Sequence, residues 1–179
     1  MCANVKQMNS PKLAELKKEL NYLELTQVKE LCLRLAKYKT ENKELLHYLL
    51  FYFDKKEDYV NEVKDLIINE FDDLHPSIYY VSKQLRKLLR IINKHIKYIG
   101  EKDKECDIIL CFCEEFIKHP IVTVSQQALI LLLFRQLKRA NRILPKLNED
   151  LQFDYQQQFD ELIKLLKSKR KSFRMVEIE

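Results

Sequence analysis

Three cysteines crowd into eight residues, as Cys106-x4-Cys111-x-Cys113, with His119 six positions further on. Thiolates and an imidazole in that number are the ligand set of a structural zinc ion. Such sites, however, place paired ligands in turns, with a second pair elsewhere. Here the spacing falls within a run of helical periodicity. Cys106 and Cys113, seven apart, share a face with Ile109 and Leu110, and Cys111 points some 140° away. Cysteine packs as a small hydrophobe, so these residues are read as core and no metal site is assigned.

Glu44-x-x-His47 matches the helical half-motif of di-iron carboxylate bundles, and Asp72-x-x-His75 echoes it loosely. A complete site needs two such helices and a Glu from each of two more. Glu15, Glu19 and Glu70 are available, but nothing in the sequence places them. His75 precedes Pro76, beyond the expected helix end, where it loses the required direction. The serines fall in cap, helical or tail positions, and His95 lies on the flank of a long helix. A single glycine, Gly100, serves 179 residues. Phosphate-cradling loops, dinucleotide fingerprints and strained nucleophile turns all need more. The chain is therefore read as non-enzymatic, with no cofactor.

Charge is the remaining chemistry. The net charge is +5, and its distribution matters more than its sum. Residues 76–100 hold six basic side chains and no acidic one, and residues 122–147 hold five and none. Acidic stretches follow each block, at 101–121 and 148–163. At 100° per residue, Lys83, Arg86, Lys87, Arg90, Lys94 and Lys97 fall within about 60° of one line. Val81, Leu85, Leu88, Leu89, Ile92, Ile96 and Ile99 lie opposite. Arg135, Lys138, Arg139, Arg142 and Lys146 form a second basic face. Like charges at i,i+4 oppose each helix by roughly 1–2 kcal/mol per stripe, so compensation is expected. It comes either from the acidic stretches of the same chain or from an anionic partner.

The elements that position these faces are helical. Leu13, Leu16, Leu20 and Leu23 step by three and four, with Ser10 as cap and Pro11 at the first position. Val28, Leu31, Cys32 and Leu35 form the next stripe, behind Thr26. Thr40 caps a third helix. Its run from Leu45 to Phe53 is apolar nearly all round, which predicts a central place in the core. Further helices are expected from about Tyr59 to Phe71, Ile78 to Ile99 with Gly100 as left-handed cap, Cys106 to Ile117, Val122 to Ile143, and Leu151 to Leu166. Short connections make neighbours antiparallel. The expected fold is all-α, about eight antiparallel helices in a short array or an irregular bundle. One domain spans 1–167, and a charged tail over 168–179 frays.

Val81-Ser82-Lys83-Gln84 recurs 43 residues later as Val124-Ser125-Gln126-Gln127, and both copies open a long helix that turns basic. On this echo and the helix spacing, the stretch from Leu25 to Leu166 resembles HEAT- and armadillo-type paired-helix repeats. The resemblance implies a surface that binds proteins or nucleic acid.

The longest strictly apolar run, Ala128 to Phe134, is far short of a membrane span. An odd number of cysteines and no apolar leader suggest a cytoplasmic protein. The functional expectation is a binding or scaffolding module whose basic faces engage an acidic protein surface. Arg86, Arg90, Arg139 and Arg142 serve as bidentate donors. The alternative is contact with a nucleic-acid backbone, without sequence reading. A di-metal helical enzyme is the distant third.

Overall fold

A computed structural model describes residues 11–124 and 126–175. The chain is 83% helical, with eight α-helices and no strand among the described residues. They are α1 (Leu13–Leu20), α2 (Leu25–Tyr38), α3 (Thr40–Phe51), α4 (Lys56–Asp72), α5 (Ile78–Ile99), α6 (Lys102–Lys118), α7 (Gln127–Ile143) and α8 (Glu149–Lys169). Contacts divide the chain into two compact units, 1–50 and 51–179.

The first unit contains α1, α2 and most of α3. Its helices are locally well made. The Glu24 amide donates to Gln27 Oε1 at 2.9 Å at the start of α2, and Asn42 Nδ2 donates to the Leu35 carbonyl, joining α3 to α2. Yet α1 and α2 bury no residue, and α3 buries only Tyr48. Leu45, Leu49, Leu50 and Phe51 are exposed, as is Phe53 just beyond the helix. The central place expected for the 45–53 run is thus overturned. An apolar segment reports what a helix could bury, not whether neighbours surround it. Ser10 lies outside the described residues. Pro11 stands before the N-cap, Lys12, and not at the first helical position.

The second unit is a two-layer helical array. Helices α4, α6 and α8 form one layer, with α6 between the other two; α5 and α7 form the second layer, each packed on α6. The central helix is α6. It buries Cys106, Ile108, Ile109, Leu110, Phe112, Cys113, Phe116 and Ile117, more than the single face the periodicity predicts. Phe71 of α4 meets the Phe112 and Phe116 rings edge-on, at 5.5 and 6.2 Å between centroids. Three ion pairs fasten α4 to the N-terminal part of α6: Lys56 with Glu101, Glu57 with Lys104, and Lys64 with Asp107.

Gly100 has φ 73° and donates its amide to the Ile96 carbonyl at 2.9 Å, turning the chain from α5 into α6. Only glycine takes that left-handed cap without strain. The next connection departs from the sequence expectation. Residues Pro120–Thr123 form a 3₁₀ turn, and α7 starts at Gln127, not near Val122. The Pro120 ring lacks a donor, and the β-branched residues that follow resist helix. The echoed segments touch: Ser82 Oγ donates to Gln126 Oε1 at 3.3 Å. Ser125, the echo of Ser82, is not among the described residues.

The fraying expected from residue 168 also needs correction. Helix α8 continues to Lys169, whose Nζ donates to the Lys118 carbonyl at 2.8 Å. Arg170 reaches the carbonyls of Val122 and Val124, and Phe173 is buried with its ring 5.3 Å from Phe134. One aromatic anchor holds the segment down despite its charge. Residues 176–179 lie outside the described residues.

Candidate functional site

The cysteine cluster is built into the core. Cys106 and Cys113 are fully buried and Cys111 is half-buried. Burial, aided by neighbouring carboxylates, pushes the thiols of Cys106 and Cys111 up to about 12, with Lys64 opposing it at Cys111; burial likewise raises Cys113. Protonated thiols are poor ligands and poor nucleophiles. Among the described residues no three of His, Cys, Asp and Glu gather as a metal set. Glu44 and His47 lie on α3. Asp72 ends α4, and His75 lies past that end, where its Nδ1 accepts from the Ser77 amide at 2.9 Å. His95 is held by Tyr59, whose hydroxyl lies 2.6 Å from its Nδ1.

The basic face of α5 turns to solvent. Lys83, Arg86, Lys87, Arg90 and Lys97 are exposed and Lys94 is half-buried. The opposite face, from Val81 to Ile99, is buried as its spacing predicts. On α7, Arg135 and Arg142 are exposed and Lys138 and Arg139 half-buried; Lys146 is exposed but lies beyond α7, in the 3₁₀ turn Leu144–Lys146. Helices α5 and α7 also touch each other. They meet at a specific bond: Arg139 Nη1 donates to Asn93 Oδ1 at 2.5 Å. Asn93 sits about 60° from Arg90 on α5, at the edge of the basic line.

Arg139 is not the free donor the sequence suggests. Its Nε and Nη2 lie 2.9 and 2.8 Å from Glu105 Oε1, so it staples α5, α6 and α7 together. Sequence spacing gives no warning, since Glu105 and Asn93 lie 34 and 46 residues away. Burial works to raise the Glu105 carboxyl, but hydrogen bonds from Lys102 and Arg139 outweigh it and hold the group below its ordinary range. A depressed carboxyl contributes stability that is present above its unfolded value, near 4.5, and lost as pH falls through the folded one. Glu105→Gln should therefore flatten the acid limb of stability below that pH. In urea titrations, a cycle with Arg139→Met should show coupling of about 1 kcal/mol or more. Additivity of the two substitutions would show that the staple is idle.

Self-neutralisation of the other cations depends on where the acids of α6 go. They go elsewhere: Glu101 and Asp107 pair with lysines of α4, Asp103 with Lys104, Glu105 with Lys102 and Arg139, and Glu114 and Glu115 with Lys118. Lys83, Arg86, Lys87, Arg90, Lys97, Arg135, Lys138, Arg142 and Lys146 form no ion pair with any described residue.

Two further features border these faces. Tyr79 and Tyr80, at the start of α5, are 74% and 50% exposed, with rings 5.3 Å apart. On α7, Ile130, Leu131 and Phe134 floor an open depression of about 540 Å³, rimmed by Arg135, Lys138 and Arg170. The signal for the second was present in the apolar run 128–134, because a helix apolar all round cannot bury every side. Compared with family models, curated proteins and solved structures, the chain matches none significantly. No helix among the described residues is long and apolar enough to cross a membrane.

Proposed function

We propose that the protein is a non-enzymatic binding or scaffolding module that engages an acidic protein surface through the basic face of α5 and the adjoining cations of α7. The observation that carries this reading is the exposed line Lys83, Arg86, Lys87, Arg90 and Lys97, unpaired within the described chain while the acids of α6 pair with other residues. From Lys83 to Lys97 that line runs about 21 Å at 1.5 Å per residue. An acidic partner surface relieves the repulsion along it. Arg86, Arg90 and Arg142 supply bidentate geometry, and the lysines add charge. Steering by such a surface accelerates encounter and weakens with salt.

A second reading rests on Tyr79 and Tyr80. Exposed aromatic rings beside Lys83 favour a single-stranded nucleic acid, whose bases stack while cations hold the backbone. Titration of the purified protein with labelled polyglutamate and with single-stranded and duplex oligonucleotides, at several salt concentrations, separates the two. Saturable polyglutamate binding at low salt that outcompetes both oligonucleotides supports the protein partner. Tighter oligonucleotide binding with a steep salt slope shifts the assignment to nucleic acid. No binding to any of them at low salt removes both.

A further inference from the structure

The depression on α7 narrows the chemistry of the partner. Ile130 is half-buried and Leu131 is 42% exposed, on a helix whose other outward positions are polar or basic, Gln127 and Arg135 among them. Phe134 closes the floor, fixed from behind by Phe173. Around this apolar patch stand Arg135, Lys138 and Arg170, and none of the described residues that line it is acidic. A purely electrostatic surface has no use for an apolar floor, which water covers at a cost. A floor ringed by cations suits a ligand with the complementary order, apolar at its centre and anionic at its edges. The volume, about 540 Å³, is within the range of sites that enclose bulky side chains or small molecules.

We infer that this depression receives the apolar anchor of an acidic amphipathic segment of the protein partner, with carboxylates on either side of the anchor paired to Arg135, Lys138 and Arg170. The inference rests on the basic-face reading above. It adds that the partner's acidic stretch is interrupted by one or two large apolar residues. Charge alone fixes neither register nor orientation; an anchor seated between Ile130 and Phe134 fixes both.

The test uses two labelled twelve-residue peptides of equal charge in fluorescence polarisation. One carries glutamates around a central Phe and Leu; in the other, serines replace the Phe and Leu. Leu131→Lys is the deciding variant, because it adds a cation while removing the apolar floor, and circular dichroism checks its fold. The full-length protein should prefer the amphipathic peptide at least tenfold, and the variant should lose that preference while binding the serine peptide as well or better. Equal binding of the two peptides by the unaltered protein overturns the inference without any variant and leaves the basic-face reading intact. Tighter binding of the amphipathic peptide to Leu131→Lys overturns it too. Failure of both peptides at low salt sinks both readings. A single-stranded oligonucleotide that outbinds both peptides and weakens in the variant assigns the depression to nucleic acid, and the inference falls.

Discussion

Phe112→Ala is expected to destabilise the protein by about 3–5 kcal/mol, a large share of the roughly 5–15 kcal/mol of an ordinary domain. Phe112 is fully buried on α6, the helix that α4, α5, α7 and α8 all touch. Its ring lies 5.5 Å from Phe71 and 6.3 Å from Phe116. Truncation leaves a cavity beside Phe71 and Phe116 in the packed core. Each layer is held to the other mainly through α6, so loosening one contact set loosens the rest. Urea denaturation followed by circular dichroism measures the effect. A loss below about 1 kcal/mol would mean that the two layers do not depend on α6. Leu131→Ala, at the surface, is the matched control and should cost little.

The second large effect joins binding to stability with opposite signs. Arg86→Glu with Lys87→Glu should weaken polyglutamate binding about a hundredfold, taking each reversal as about 1.4 kcal/mol. The same pair should stabilise the fold. Arg86 faces Arg90 one turn on, and Lys87 faces Lys83 one turn back. Each like-charge pair costs a few tenths of a kcal/mol and becomes an attraction of similar size. The sum is about 1 kcal/mol in favour of the variant. A variant that binds as well as the parent would show that α5 is not the contact surface. One that binds worse because it is less stable would show that the face has a structural partner.

Much of this geometry was legible. Gly100 marked the end of α5 because only one conformation explains a lone glycine after a long amphipathic run, and the cap is there. The division of α5 into basic and buried faces followed from a 3.6-residue period. Less was legible wherever a residue's fate depends on the opposite wall. Arg139 and Arg142 look alike in sequence, yet one staples three helices and the other is exposed. Leu45 to Phe53 promised the core and is largely exposed, while the more polar α6 occupies the centre. Periodicity assigns a side chain to a face; only tertiary contact decides what that face meets. The depression at Leu131 belongs to the same class, since Arg170 comes to it from the far end of the chain.

The greasy residues of α1 and α2 carry a practical consequence. Leu13, Tyr22, Leu25 and Tyr38 are each more than two-thirds exposed. Residues 1–50 carry nine basic and six acidic side chains, a net charge of +3 that keeps separate molecules apart at low ionic strength. Colloidal behaviour then turns on ionic strength: salt screens that charge and does nothing to hide leucine from water.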